Sequence, residues 1–147
     1  MPLDTFLVGY RQTVCRPDEL ITAVVLPKPA PDTLVRSYKV SKRKDLDIST
    51  LSGGFRLDLT ADGRVEAVVL AYGGMAERVK RATRTEAFLR SKAWSRQTVE
   101  AAMPLIDQEF TPISDVRSGA EFRRVAARNL LLKFWHDTQH GQRHKGT

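Results

Sequence analysis

Tyr38-Lys39 is followed by Arg43 and then Asp47, in a stretch that reads Tyr-Lys-Val-Ser-Lys-Arg-Lys-Asp-Leu-Asp. An aromatic and a lysine at the end of a strand, leading into a loop that mixes cations with carboxylates, can flank a flat redox ring such as a flavin and tune its charge. A cation beside such a ring favours its reduced, anionic form. A charged surface loop gives the same letters, so spacing alone leaves both readings open. Two glycine pairs, Gly53-Gly54 and Gly73-Gly74, add to the pattern. Each reads either as a bulge or close strand–helix approach, or as backbone passing close to a flat ligand.

Other chemistries are poorly supported. His136, His140 and His144 recur every fourth residue and would line one side of a continued helix, as metal ligands can. Gly141 interrupts that helix pattern, and no metal site is assigned. Cys15 is the single cysteine, which excludes an internal disulfide and cannot supply an iron–sulfur site. That usage fits the cytoplasm. Neither a dinucleotide-binding glycine fingerprint, nor a phosphate-loop spacing, nor a nucleophile elbow is present, so a side-chain triad is not expected. The net charge of +7 raises nucleic acid as a partner. Against it, most aromatics fall at core positions rather than between the cations. The cations cluster around Arg36 to Lys44, Arg78 to Arg84, and Arg123 to Arg128, where the last two clusters read as solvated faces.

At 147 residues, with 41% hydrophobic, the chain can bury one core. No apolar run is long enough for a bilayer helix and no export signal is seen, so a soluble domain is expected. The segment Glu19 to Leu26, with Ile21, Ala23, Val24, Val25 and Leu26 and closed by Pro27, reads as a first strand. Leu34 to Val40 alternates as a second. Leu51 to Leu59 and Val65 to Tyr72 form a hairpin around Asp62-Gly63, with Val65, Ala67, Val69 and Ala71 predicted on one face. Thr83 to Glu86 and Ser118 to Glu121 have capping-box spacing, so helices are expected to start there. Ser95 caps a middle helix that Pro104 can kink. The last helix carries an apolar stripe of Phe122, Val125, Ala126, Leu130 and Phe134. Strands followed by helices predict an α+β domain: an antiparallel sheet of three to four strands, then three helices packed on one face. The domain is expected over 1–137, with 138–147 a polar, disordered tail.

The order of several short pieces resembles a known family. These are Phe6-Leu-Val-Gly-Tyr-Arg-Gln-Thr13, Pro17-Asp-Glu-Leu-Ile21, Tyr38-Lys39 with Arg43 and Asp47, Ser52-Gly-Gly54, Leu70-Ala-Tyr-Gly-Gly-Met-Ala76 and Glu121-Phe-Arg-Arg124. Together they resemble the molybdenum hydroxylases, in particular the C-terminal domain of the FAD-binding subunit of xanthine dehydrogenases, which is CO dehydrogenase flavoprotein C-terminal-like. The resemblance implies electron transfer from a purine oxidised at a molybdenum cofactor, through 2Fe-2S clusters, to FAD and then NAD. It implies that FAD is held mainly by a preceding domain outside this chain, which is then an excised piece or a shortened reading frame. The molybdenum-binding large subunit would be a further partner. Lys39 matches a position that contacts FAD, with Tyr38 beside it. Arg43 and Asp47 match charged positions of a loop that governs nicotinamide access. Another member oxidising carbon monoxide or an aldehyde is the alternative within the family, and a small basic nucleic-acid module the alternative outside it.

Overall fold

A computed structural model describes residues 1–43 and 47–142, with side chains through Gln139. In chain order the elements are α1 (Leu3–Phe6), β1 (Leu7–Gly9), β2 (Gln12–Thr13), β3 (Leu34–Val40), β4 (Leu51–Leu59), β5 (Val65–Gly73), β6 (Lys80–Arg81), α2 (Thr83–Leu89), α3 (Arg96–Glu109) and α4 (Ala120–Gln142). The protein is an α+β domain. Strands β3, β4, β5 and β6 form one antiparallel sheet in sequence order, and β1 and β2 pair separately.

The central hairpin follows from alternation. Leu51, Phe55 and Leu57 of β4 are buried at period two, as a strand with one core face requires. The Thr60–Arg64 turn closes on itself, with Gly63 at φ +75°. In β5 the parity differs from the sequence expectation: Val65 is buried, but so are Val68, Leu70 and Tyr72, while Ala67, Val69 and Ala71 face the other way. The reason is a register shift at Asp58/Leu59, where Leu59 pairs with Val65 and Asp58 with Ala67. Glu66 is the extra residue of a bulge, and one extra residue moves every later side chain to the opposite face.

Helices α3 and α4 pack together, and α4 lies across β3 and β4. Phe134 of α4 stacks on Phe55 at 5.4 Å between ring centroids and on Trp94 at 5.7 Å. Phe55 in turn meets Tyr72 edge-on at 5.0 Å. Ser95 caps α3 as expected, accepting from the Thr98 amide at 3.2 Å, and α3 continues through Pro104 without a break.

Several expectations are corrected. Residues 19–26 form no strand, and Leu20, Ile21, Val24, Val25 and Leu26 are all exposed. Neither capping box forms. The Glu86 carboxylate leaves its own helix to accept from the Leu70 amide at 2.8 Å and from Arg81. The first amides of α2 are instead satisfied by Glu109 of α3, which accepts from Arg84 at 2.6 Å and Thr85 at 2.9 Å. At α4 it is Ser114 that accepts the Ala120 amide. Phe122 and Val125 are exposed rather than part of the buried stripe, which runs through Arg123, Ala127, Leu130, Leu131, Phe134 and Thr138.

The boundary expected at residue 137 also falls inside an element. Helix α4 runs on through Thr138 to Gln142, including Gly141. Thr138 is buried because its hydroxyl accepts from the Trp94 indole at 2.9 Å and donates back to the Phe134 carbonyl. A tertiary anchor thus offsets the weak helix propensity of the terminus. Residues 143–147, His144 among them, lie outside the described residues. Among the described residues no helix is long and apolar enough to cross a membrane.

Candidate functional site

Tyr38 and Lys39 are consecutive in β3, so a strand must send them to opposite faces. The structure places Tyr38 on the helix side. Its ring lies 5.6 Å from that of Phe55, and its hydroxyl donates to the Asp137 carboxylate at 3.0 Å. Burial and this bond push the Tyr38 hydroxyl pKa far up, and it stays protonated. Tyr38 is thus half-buried against the core, and it and Lys39 lie on opposite faces of the sheet.

Lys39 points away from the helices, from an exposed position. Its ammonium has no hydrogen-bond or ion-pair partner among the described residues. Directly across the ladder stand Ser52 of β4 and Gly73 of β5. The next row along is Ser37, Gly54 and Ala71. The surface beside Lys39 is thus a floor of residues no larger than serine. A Cβ built on Gly54 would meet nothing within 4 Å, so the absence of a side chain there is not required by packing inside this chain. Gly53, on the other face, differs: its Cβ would lie 2.8 Å from the Phe55 ring.

Arg43 and Asp47 occupy the β3–β4 connection, beyond the Val40–Leu51 pair at the Lys39 end of the sheet. They are brought together with each other. The Asp47 carboxylate accepts the Arg43 amide at 3.3 Å and lies 3.8 Å from its guanidinium. Arg43 remains largely exposed, while Asp47 is half-buried at the base of the loop. The connection is further tied to the α3–α4 loop, where Lys42 donates to the Val116 carbonyl at 3.3 Å.

At the same end a cleft of about 950 Å³ opens beside Gly73 and Gly74, with Thr50, Tyr10, Lys80 and Arg117 on its walls. Arg123, expected among solvated cations, is instead 5% exposed. It donates to the Gly74 carbonyl at 2.9 Å and to Asp115 at 2.7 Å, joining the end of β5 to the loop before α4. Gly74 has φ +82° and a Cβ there would lie 2.5 Å from the Thr50 carbonyl, so only glycine fits. Burial works to raise the Asp115 carboxyl, but backbone amides of Arg117 and Ser118 and the Arg123 guanidinium outweigh it and hold it below its ordinary value. Sequence reasoning missed this clamp because a buried arginine reads the same as an exposed one in a run such as Arg123-Arg124.

The arrangement can accommodate a flat, electron-rich group: a cation with no side-chain partner among the described residues, next to a floor of small residues, with a charged loop at its rim. None of the contacts described is a nucleophile–base pair. Residues 36–138, the sheet and all three longer helices, match the family described as CO dehydrogenase flavoprotein C-terminal domain. The chain belongs to that family.

The chain is 34% identical over 140 residues to a xanthine dehydrogenase of Emericella nidulans, covering 93% of this chain and 10% of the relative. A xanthine dehydrogenase of Oryza sativa subsp. japonica is 29% identical over 150 residues, 99% of this chain and 11% of the relative. A nicotinate hydroxylase of Emericella nidulans is 33% identical over 92% of this chain and 10% of its own length. Among solved structures, a carbon monoxide dehydrogenase from Hydrogenophaga pseudoflava superposes with a TM-score of 0.79 at 26% identity, over 87% of this chain and 44% of that one. The chain thus spans about a tenth of the length of these curated relatives. Lys39, Arg43, Asp47 and the glycine pairs all lie within the segment that defines this flavoprotein family.

Proposed function

We propose that this domain closes over one edge of an FAD site in a xanthine dehydrogenase, with Lys39 and the β3–β4 connection lining it. The observation that carries the reading is Lys39: an exposed ammonium with no side-chain partner among the described residues, beside Ser37, Ser52, Gly54, Ala71 and Gly73 on the helix-free face of the sheet. The residues fit a flat cofactor. FAD held mainly by a neighbouring domain would supply the relay between one-electron and two-electron carriers.

What this chain contributes is electrostatic and steric. The Lys39 ammonium stabilises negative charge gained by a ring near it, a larger effect once neighbouring protein displaces water. The small floor lets that ring approach the backbone. Arg43, anchored through Asp47, holds a positive charge at the rim, where the phosphates or carboxamide of NAD can be met. On this reading the complete enzyme is cytoplasmic, oxidises a purine at a molybdenum cofactor in its large subunit, and passes electrons through 2Fe-2S clusters to FAD and NAD. The isolated chain is a partner in that oxidoreductase rather than a complete catalyst. Xanthine dehydrogenases among the relatives favour a purine; the nicotinate hydroxylase favours the second reading, another heterocycle or small molecule as the substrate.

Replacing Lys39 with alanine in the complete enzyme should weaken FAD retention or lower the flavin midpoint potential. Flavin release on dilution and a redox titration read the two effects, and unchanged values for both would remove the role. A nucleic-acid module is disfavoured by the aromatic positions: Phe55, Tyr72, Phe110 and Phe134 are buried.

A further inference from the structure

Residues 19–26 present a contradiction between sequence and structure that points outside the chain. The segment Glu-Leu-Ile-Thr-Ala-Val-Val-Leu is a strong strand sequence, yet it crosses solvent with Leu20 89%, Val25 86% and Leu26 83% exposed. Among the described residues, none of the backbone groups of residues 20–29 makes a hydrogen bond. Isolated apolar residues on a surface are ordinary, but a run of five in eight positions without backbone partners is not. Both alternating faces are apolar, Ile21, Ala23 and Val25 on one and Leu20, Val24 and Leu26 on the other. That is the signature of a strand covered on both sides. An edge strand facing water would carry polar residues on one face.

The comparisons separate this segment from the domain that follows it. The family match begins at residue 36, whereas similarity to the rice xanthine dehydrogenase extends over 99% of the chain and therefore includes residues 19–26. The segment is shared with the larger relatives but lies outside the flavoprotein C-terminal domain itself. We infer that residues 19–26 are a β-strand that pairs into the sheet of the flavin-carrying domain, so that this chain completes its partner's core by strand addition. The identity of the partner rests on the function proposed above; the existence of the strand does not.

Hydrogen exchange followed by mass spectrometry, on the complete enzyme and on this chain alone, tests the inference. Amides of residues 20–26 should exchange on the order of 100-fold or more slowly in the enzyme, and fast in the isolated chain. Fast exchange in both would overturn the strand. Val24→Pro, which removes a ladder donor, and Val25→Asp should lower the melting temperature of the complete enzyme and leave that of the isolated chain unchanged. An equal drop in the isolated chain would mean that the segment packs within it, and an unaffected enzyme would mean that it does not dock as a strand. Either result overturns the inference. Amine crosslinking from Lys28 decides the partner: links to the flavin-carrying domain support it, and links only to other domains overturn it. The Lys39→Ala measurement is independent of all of these, so the two readings can fail separately.

Discussion

On the helix side of the sheet, the rings of Tyr38, Phe55 and Tyr72 form a row across three strands, closed from above by Phe134 and Phe110. On the other side, one residue along each strand, the corresponding row is Ser37, Gly54 and Ala71. The same backbone carries both rows, so the difference lies in what each face is asked to do. The first excludes water with large interlocking side chains. The second is built flat, with Lys39, which has no side-chain partner among the described residues, at its margin. A face that only needed to meet solvent would tolerate larger polar side chains at Gly54 and Ala71. Packing inside this chain does not require the smallness of Gly54, and on the function proposed above a flat cofactor held by a neighbouring domain accounts for it.

The largest expected effect breaks the covered face. Phe134→Ala removes the ring shared by Phe55 and Trp94 and should cost about 3–5 kcal/mol in urea unfolding. Ser37→Ala, across the sheet, should change stability by less than about 0.5 kcal/mol. Next in size is Gly53→Ala, whose new methyl must enter space held by the Phe55 ring 2.8 Å away. Such overpacking costs about 1–3 kcal/mol, read by the same unfolding curves.

The hairpin was legible in the sequence because β4 and most of β5 alternate, and alternation is a local signal. The parity of β5 was not, since the bulge at Glu66 is chosen by pairing with Asp58 and Leu59, which no period within β5 encodes. Capping boxes failed for a related reason. Glu86 has the right spacing from Thr83, but the sheet offers it the Leu70 amide and the Arg81 guanidinium, and distant Glu109 caps the helix in its place. The candidate site was half legible. Lys39 and the charged loop could be picked out by residue type, and the rule that neighbours in a strand point oppositely already separates Tyr38 from Lys39. The floor could not, because Ser37, Gly54 and Ala71 become neighbours only through the register.

The Tyr38–Asp137 bond ties the covered face to the last turns of α4, and its pH dependence has a definite sign. Burial works to raise the Asp137 carboxyl, but bonds from Lys133 and Tyr38 and the Lys133 charge hold it below its ordinary value. A depressed carboxylate adds stability that is present above the unfolded value, about 3.9, and lost as pH falls through the folded one. Asp137→Asn should therefore lower the urea midpoint at pH 7, by about 1 kcal/mol in stability, with the difference from the parent narrowing below about pH 4. A constant difference down to pH 2 would show that the carboxylate charge is not what matters.

The smallest effect on stability is the sharpest test of the comparison. Gly54 is paired with Ser37 and Ala71, and its Cβ would enter open space. In the isolated chain Gly54→Ala should leave unfolding unchanged within about 0.5 kcal/mol, or stabilise it slightly, because alanine loses less backbone entropy than glycine on folding. In the complete enzyme the same methyl stands on the floor beside Lys39. There, on the proposed function, it should weaken FAD retention, while Gly53→Ala should do its damage in the isolated chain already. If Gly54→Ala were silent in both settings, the flatness of this face would have no steric cause, and Lys39 would act, if it acts, through charge at a distance.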